Sequence, residues 1–221
     1  MKNLEPSQCA FNLIYSFDPM HSIDGILVQD YRRKLAESLA AEVSKKKCRR
    51  FDFVVPIPMT GILYAKYVSE YLNIPYIEIF DREKRIRTLD MPNGERVKYY
   101  NEYFSSFESS LVGKSILVVD EALISGTTAM LVSKWLAKFK AKNYSFAFAS
   151  PPMSGYCPNK YIKESDRAIA DGPVGDALSV SIRKFADRME ADDIYFVSSE
   201  GFQRVIYEKT RCMLCFSQIY G

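Results

Sequence analysis

The chain has 221 residues, of which 48% are apolar and 26% are charged, a composition typical of a globular protein with one substantial core. Its 30 basic and 27 acidic residues leave a net charge of only +3, which argues against a nucleic-acid partner. No apolar run is long enough to span a membrane and the N-terminus lacks a signal-peptide pattern, so we expect a cytoplasmic protein whose five cysteines form no disulfide framework.

Short apolar segments rich in β-branched and aromatic residues alternate with longer segments of helical periodicity. Strands are predicted at 11–15, 51–57, 76–80, 115–120 and 144–149. Helices are predicted between them at 26–46, 61–72 and 127–140. The segment 115–120 is apolar on both faces, which is typical of a central strand in a parallel sheet. The alternation predicts an α/β fold with a central, mostly parallel sheet flanked by helices.

Two stretches depart from this alternation. The segment 81–110 is charged, contains the run Pro92-Asn93-Gly94 and lacks a clean period, which predicts a long flexible loop. After Pro152 the patterns predict a small, mainly helical extension, with helices at 162–170, 177–189 and 200–207 and a short strand at 194–197. We therefore expect one domain over 1–221, with its core at about 10–150 and the extension at about 151–221.

The most informative segment runs from Asp120 to Thr128. An apolar strand ends in Asp120 and Glu121, a short turn follows, and Gly126-Thr127-Thr128 begins a helix. Backbone N–H groups at a helix start bind anions, a glycine allows close approach, and hydroxyl groups add donors to phosphate oxygens. Carboxylates accept hydrogen bonds from sugar hydroxyls or hold hydrated Mg²⁺. The segment therefore predicts a ribose 5-phosphate site.

The alternative is an ordinary strand-to-helix turn with Thr127 as the N-cap. Two other phosphate-binding motifs are excluded. The chain has no Gly-Lys-Ser/Thr run, which a Walker A loop requires, and no G-x-G-x-x-G, which a dinucleotide fingerprint requires.

The segment 116–128, ILVVDEALISGTT, resembles the phosphoribosyl pyrophosphate (PRPP) motif of type I phosphoribosyltransferases. Further landmarks in order resemble the transferase half of the glutamine PRPP amidotransferase family. They are residues 9–32, VVPIPMT at 54–60, Arg87-Thr88, ASPP at 149–152, SEG at 199–201 and CMLCF at 212–216. The resemblance implies a type I phosphoribosyltransferase fold with 81–110 as a hood loop, and the family's N-terminal glutaminase domain is absent from the 221 residues.

The same resemblance implies roles for particular residues. PRPP would be bound by Thr60, Gly61, Asp120, Glu121, Ser125, Gly126, Thr127 and Thr128. In that set, Ser125 to Thr128 would hold the 5-phosphate, while Asp120 and Glu121 would hold the ribose hydroxyls. Thr60, Asp120 and Glu121 are the implied Mg²⁺ ligands. Asp120, Glu121 and Arg87 are the implied catalytic residues, with Arg87 contacting the pyrophosphate from the hood.

The implied reaction is the displacement of pyrophosphate from C1 of PRPP by ammonia or a small amine. A separate glutaminase or ammonia-supplying subunit is one source of the nucleophile, and a homo-oligomer is expected. Met59 stands where the family carries an acidic residue, Ser125 where it carries an arginine, and Glu121 where it carries an aspartate. Glutamate at 121 keeps the charge, whereas Met59 and the changed hood favour a second hypothesis, a catalytically silent PRPP-binding sensor or scaffold protein.

The cysteines carry a further implication. Cys212 and Cys215 form half of a metal-site pattern, and their spacing alone leaves a pair of reduced thiols as an equal alternative. In the iron–sulfur branch of the amidotransferase family, the four ligand positions match Cys9, Cys157, Cys212 and Cys215. The resemblance implies a structural [4Fe–4S] cluster, with zinc in the same four cysteines as the alternative. Cys48 matches no ligand position.

Overall fold

The computed structural model describes residues 9–46, 50–79, 94–95, 98, 110–153, 155, 157, 176–206 and 212–216. The strands in these ranges are β1 (Ser22–Ile23), β2 (Ile26–Leu27), β3 (Phe53–Pro56), β4 (Ser115–Asp120), β5 (Asn143–Phe148) and β6 (Ile194–Phe196). The helices are α1 (Val28–Lys45), α2 (Gly61–Leu72), α3 (Thr127–Lys138), α4 (Asp176–Arg188) and α5 (Ser199–Ile206).

Four strands form one parallel sheet in the order β3-β4-β5-β6. All six residues of β4 are buried, because other layers cover both faces of the sheet. Leu117 and Val119 pack with residues of α1, α2 and α5. The intervening side chains of Ile116 and Val118 belong to the other core, with residues of α3 and α4. The predicted α/β architecture, a parallel sheet flanked by helices, is confirmed.

Most predicted elements are present with small differences in length. Helix α2 and strand β4 have the predicted bounds, and α1, α3, α4, α5, β3, β5 and β6 differ from prediction by a few residues at one or both ends. The predicted helix at 162–170 lies outside the described residues. So does the predicted hood at 81–110, apart from residues 94–95, 98 and 110.

The predicted strand at 11–15 is wrong. Asn12–Ser16 form one turn of π-helix, and buried side chains bind its carbonyl oxygens. Arg32 Nε donates to the carbonyl oxygen of Leu13 at 3.1 Å, and the Tyr64 hydroxyl donates to that of Ile14 at 3.0 Å. A five-residue apolar run is too short for its period to separate helix from strand, so these tertiary contacts determine the conformation.

The predicted strand at 76–80 is also wrong over the residues described, which end at 79. It is reduced to one parallel bridge between Val54 and Tyr76. The Val54 N–H donates to the Pro75 carbonyl oxygen at 2.9 Å, and the Ile77 N–H donates to the Val54 carbonyl oxygen at 3.0 Å. Proline has no N–H to offer a neighbouring strand, which limits the pairing at this end of the segment.

A short antiparallel hairpin of β1 and β2 precedes α1 and was not predicted. Its two-residue turn is Asp24-Gly25, and both residues have positive φ, 53° and 80°. This pair is the usual sequence of a type I′ hairpin turn. None of the described helices has the length and apolar character needed to cross a membrane.

Candidate active site

The site lies where the two neighbouring strands β3 and β4 end. Because the strands are parallel, their carboxyl ends share one edge of the sheet, which is where α/β proteins bind ligands. Pro56 pairs with Val119, and just beyond it the Ile57 N–H donates to the Val119 carbonyl oxygen at 2.8 Å. The loop after β3 therefore brings Thr60 and the start of α2 beside Asp120, the last residue of β4.

Gly61 is the residue at which the start of α2 comes into close contact with the end of β4. A Cβ atom built on Gly61 would lie 3.0 Å from Asp120 Oδ1 and 3.0 Å from the Val119 carbonyl oxygen. Any larger residue would push α2 away from the end of β4. The packing of α2 against the acidic strand end therefore requires glycine at this position.

Asp120 and Glu121 are buried side by side, with 8% and 7% of their surfaces exposed. The Glu121 N–H donates to Asp120 Oδ1 at 2.9 Å. Burial raises the pKa of the Asp120 carboxyl well above its usual range, and the neighbouring charge of Glu121 raises it further. Burial also raises the pKa of Glu121, although the Asp120 hydrogen bond and the Arg32 charge oppose that rise.

The Glu121 side chain has an oxygen with no hydrogen-bond partner. Its Oε2 atom is buried and has no hydrogen-bond partner among the described residues, which is unfavourable for a carboxylate unless a ligand completes its contacts. A divalent cation or a ribose diol supplies what this atom lacks. The acidic pair therefore fits Mg²⁺, as the sequence implied.

The hydroxyl loop follows four residues later. Gly126 has a φ of 69° and precedes α3, which begins at Thr127. Ser125 Oγ donates to Thr127 Oγ1 at 3.1 Å and accepts the Thr127 N–H at 3.4 Å. Ser125, Thr127 and Thr128 are half-buried. The cap residue of α3 is Gly126 and makes no side-chain cap, so the alternative of Thr127 as N-cap is not observed.

The loop between β3 and α2 contains a backbone outlier. Met59 has a φ of 78°, which is rare for a residue with a side chain and indicates strain of the kind found at ligand sites. The next residue, Thr60, is half-buried, and its Oγ1 lies 3.5 Å from the Tyr15 carbonyl oxygen, the outer limit of a hydrogen bond. Thr60 is thus held loosely, beside Gly61 and the acidic pair.

Two residues near the pair had no role in the sequence analysis. Arg32 is 3% exposed and bonds to backbone carbonyl groups, and Tyr64 is fully buried beside it. The sequence held one signal for Arg32, since it shares a helical face with the apolar residues Val28 and Leu35. A charged residue on an apolar helix face indicates a buried, paired cation.

The four predicted cluster ligands converge. Cys9 and Cys212 form a parallel backbone bridge, and the Gly155 N–H donates to the Cys215 carbonyl oxygen at 3.0 Å. Cys9, Cys157 and Cys215 are buried, Cys212 is half-buried, and all four are free thiols. Burial raises the pKa of Cys215 well above its usual range, and the charges of the other three thiols add to the rise.

Burial likewise raises the pKa of Cys9, with Cys212 and Cys157 contributing. The four thiols therefore lie within electrostatic reach of one another, and a buried thiol set of this kind suits a bound metal group that keeps them ionised. Among the described residues, no three or more His, Cys, Asp or Glu side chains have the arrangement of a metal-ion site.

One predicted site residue, Arg87, lies outside the described residues. Of the other sequence-predicted groups, the structure brings Gly61 against Asp120, joins Asp120 to Glu121, and links Ser125 to Thr127.

Comparison with known proteins gives consistent results. The chain is 28% identical over 221 residues to an amidophosphoribosyltransferase of Methanocaldococcus jannaschii, a match covering 96% of this chain and 43% of that protein. It is 32% identical over 146 residues to an amidophosphoribosyltransferase of Saccharomyces cerevisiae, covering 65% of this chain and 29% of that protein. The chain thus spans less than half the length of the curated relatives it matches.

Among solved structures, the glutamine PRPP amidotransferase of B. subtilis complexed with ADP and GMP has a TM-score of 0.70 at 24% identity, over 96% of this chain and 47% of that one. A structure described as the allosteric regulatory enzyme of purine biosynthesis has a TM-score of 0.69 at 24% identity, over 95% and 44%. These likenesses confirm the predicted type I phosphoribosyltransferase fold.

The family profile described as "Phosphoribosyl transferase domain" matches residues 24–172, well over half of the chain. That range includes both strand ends of the candidate site, the acidic pair and the hydroxyl loop. The chain therefore belongs to the phosphoribosyl transferase domain family.

Proposed function

We propose that the chain is a PRPP-dependent phosphoribosyltransferase in which ammonia or a small amine displaces pyrophosphate from C1 of PRPP. The observation that carries this proposal is the buried Asp120–Glu121 pair with an unpartnered Glu121 Oε2, followed within the same loop by the hydroxyl groups of Ser125 to Thr128. The carboxylates can accept hydrogen bonds from a diol or bind a cation, and the neighbouring hydroxyl and N–H groups can donate to a phosphate. Together these groups match the two ends of a ribose 5-phosphate.

In this proposal each group has a distinct task. Ser125, Gly126, Thr127 and Thr128 bind the 5-phosphate with hydroxyl and backbone N–H groups. Asp120 and Glu121 accept hydrogen bonds from the ribose hydroxyls and, with Thr60, hold Mg²⁺. Bound Mg²⁺ supplies positive charge to the pyrophosphate. Gly61 presents its backbone on the pyrophosphate side, where Arg87, outside the described residues, would add a cation.

The chemical step then needs little from the protein beyond positioning and electrostatics. The C1–N bond forms as the C1–O bond to pyrophosphate breaks, and positive charge develops on the ribose ring. The carboxylates of Asp120 and Glu121 lie on the ribose side and stabilise that charge. Pyrophosphate leaves with the bonding electron pair, and the new ammonium group loses its proton to water. Burial of the site limits competing hydrolysis.

Ammonia or an amine is the proposed nucleophile because an amide nitrogen, as in glutamine, has its lone pair delocalised and does not attack directly. We propose that the 221 residues carry no glutaminase activity of their own. Ammonia then comes from solution or from a separate glutaminase or ammonia-supplying subunit. We also propose that the chain is cytoplasmic and forms a homo-oligomer.

We further propose that residues 1–221 form one domain with an extension at about 151–221. The support is β6, which belongs to the extension and yet pairs with β5 of the core over three residues in parallel. An extension that adds a strand to the core sheet is part of the same folding unit.

For the cysteines we propose a structural [4Fe–4S] cluster held by Cys9, Cys157, Cys212 and Cys215, with zinc as the alternative. The support is a set of four free thiols, three of them buried, whose charges act on one another. Four thiolates suit zinc as well, so metal analysis has to distinguish the two. Either group would hold the tail to the start of the domain.

A second candidate function is a catalytically silent PRPP sensor or scaffold. Met59 favours it, because an apolar side chain with strained backbone occupies the loop where charge would assist pyrophosphate. The retained Asp120, Glu121 and Thr60 oppose it, because together they keep the acidic and hydroxyl groups that the transfer reaction would use.

Pyrophosphate release from PRPP and Mg²⁺, measured with ammonia and then with a panel of small amines, tests the enzyme. Turnover with one acceptor that disappears in Glu121→Gln, but persists in the control Asp187→Asn on the exposed face of α4, supports the proposal. Tight PRPP binding without turnover for any acceptor establishes the sensor instead. Absence of both binding and turnover overturns the two functions together.

The cluster has its own test. Protein prepared without oxygen is expected to be brown, with about four irons per chain and a broad visible absorbance. A colourless preparation with one zinc per chain would show that the four cysteines bind zinc and not an iron–sulfur cluster. A preparation with neither metal would leave the four cysteines as plain thiols.

A further inference from the structure

A row of backbone carbonyl groups at the start of the chain is bound by side chains from α1 and α2. Arg32 Nε donates to the Leu13 oxygen at 3.1 Å and Arg32 Nη2 to the Phe17 oxygen at 2.8 Å. Tyr64 donates to the Ile14 oxygen at 3.0 Å. We call residues 13–17 the carbonyl row. Two buried side chains thus bind three of its five carbonyl groups, including those at both ends.

The third side chain that reaches this row is Thr60, whose Oγ1 lies 3.5 Å from the Tyr15 carbonyl oxygen. Thr60 directly precedes Gly61, which lies against Asp120. The carbonyl row is therefore the surface on which Thr60 rests. Any movement of the row moves the partner of the Thr60 hydroxyl group.

The same two buried side chains also adjoin the acidic pair. Burial raises the pKa of the Tyr64 hydroxyl, Arg32 lowers it, and the charges of Glu121 and Asp120 raise it again. Arg32 and Tyr64 thus contact the carbonyl row directly. The row in turn contacts Thr60, whose neighbour Gly61 lies against Asp120.

We propose that Arg32 and Tyr64 are positioning residues for the PRPP–Mg²⁺ site, because they hold the carbonyl row against which Thr60 is oriented beside Asp120 and Glu121. Neither residue touches the reacting atoms. This inference rests on the proposed function, since it assigns the two residues a task in binding PRPP with Mg²⁺.

A purely structural role explains the choice of residues less well. A buried cation is expensive to desolvate, and an apolar side chain of similar size would pack at lower cost. Arginine at position 32 does what such a side chain does not: its planar fork bonds two carbonyl groups at fixed separation. That geometry is useful when the spacing of the backbone it binds matters, as it does for ligand-site positioning.

The test uses substitutions that keep charge or shape. Arg32→Lys retains the positive charge near Glu121 and loses the fork, so its effect reports geometry. Tyr64→Phe removes only the hydroxyl group that binds Ile14, and it serves as the second variant if Arg32→Lys does not fold. The matched controls are Arg33→Lys and Tyr67→Phe, which change neighbouring residues on the same two helices outside the carbonyl row.

Two measurements are made on the full chain: the PRPP dissociation constant by calorimetry at fixed Mg²⁺, and the electron paramagnetic resonance spectrum of Mn²⁺ bound with PRPP. For Arg32→Lys we expect PRPP affinity to fall on the order of 10-fold, with a broadened Mn²⁺ spectrum. For Tyr64→Phe we expect a fall of about 3-fold. Both controls should bind as the wild type does.

The outcomes separate the two ideas. Folded Arg32→Lys and Tyr64→Phe proteins that unfold at lower temperature but bind PRPP and Mn²⁺ as the wild type does overturn the positioning role and leave the proposed function intact. A wild-type chain that binds no PRPP overturns the proposed function, and the inference with it. Weakened binding in the two variants alone supports both.

Discussion

The Asp120–Thr128 loop and the four-cysteine region are built in different ways. The loop takes all its groups from nine consecutive residues, between a fully buried strand and the first turn of a helix. The cysteines come from three segments at 9, 157 and 212–215, joined by individual backbone bonds such as Ala10 N–H to the Cys212 carbonyl oxygen at 3.1 Å. One region is supported by regular structure and the other by long-range contacts.

This difference indicates how each region should respond to its ligand. The loop keeps its shape through the sheet and α3 whether or not anything is bound, so loss of a ligand group there should change binding more than folding. Among the described residues, the four-cysteine region is held by individual contacts such as that of the Phe202 and Phe216 rings at 4.8 Å. Loss of a thiol there should change stability more than PRPP binding.

The largest expected effect is on the four-cysteine region. Cys215→Ser removes a buried thiol and should abolish metal binding, lowering the free energy of unfolding by at least about 3 kcal/mol. Metal analysis and thermal unfolding measure the two effects. Cys48→Ser is the control and should retain full metal content. Wild-type stability in metal-free Cys215→Ser would show that the long-range contacts suffice alone.

Gly61→Ala should break the loop region without touching its polar groups. The new Cβ meets Asp120 Oδ1 and the Val119 carbonyl oxygen at 3.0 Å, and backbone atoms have little freedom to move away. A displacement of this kind should reduce PRPP turnover about 100-fold. Steady-state kinetics check this. In the control Gly201→Ala the new atom meets Ser198 Oγ at 3.1 Å, a side chain that rotates, so turnover should be retained.

Asp120→Asn should separate binding from stability. It removes a buried carboxylate but keeps an oxygen to accept the Glu121 N–H, so the free protein should gain about 1–2 kcal/mol near pH 8 while losing PRPP affinity. Chemical denaturation and calorimetry measure the two quantities. A destabilised variant would mean that the Asp120 carboxylate supports the fold, and that changes in the loop do not act mainly on binding.

The acidic pair also predicts a pH dependence. Its raised pKa values mean that the folded state keeps a proton that the unfolded state has already released. The contribution to stability is complete below the ordinary carboxyl pKa of about 4 and is lost as pH rises through the folded value, at up to about 1.4 kcal/mol per pH unit per group. Denaturation of the free protein across this range should show the fall, and Asp120→Asn should flatten it.

Ser125→Ala should have the smallest effect. The Ser125 hydroxyl bonds to Thr127 in the free protein, so its removal costs one modest hydrogen bond and leaves the helix start unchanged. PRPP affinity should fall about 3-fold with no change in melting temperature. The remote control Ser44→Ala, on α1, should leave affinity unchanged. A fall as large as that of Gly61→Ala would make Ser125 the main phosphate ligand.

Much of the fold could be predicted because the informative signals are local. Strand β4 is a six-residue apolar run and α2 a twelve-residue periodic segment, and both have the predicted bounds. The turn at Asn12–Ser16 could not be predicted in this way, because its conformation depends on Arg32 and Tyr64 from distant helices. The Asp24-Gly25 pair is itself a local hairpin signal, but hydrophobic periodicity does not detect it.

The candidate site divides in the same manner. The acidic pair and the hydroxyl loop are adjacent in sequence, so their chemistry could be recognised directly. The approach of Gly61 to Asp120 depends on which strands are neighbours, and position along the chain does not reveal that. The cysteine set was available only through family resemblance, since no spacing rule connects residue 9 to residue 157 or either to the tail.

Strand β4 belongs to both cores, with Leu117 and Val119 on one side and Ile116 and Val118 on the other. Its amide protons should therefore exchange with solvent only when the whole domain opens, because neither helical layer can detach and free them alone. The carboxylates at the end of β4 should be held equally rigidly. The hydroxyl loop is only a few residues further on and is half-exposed, so its amide protons should exchange orders of magnitude faster.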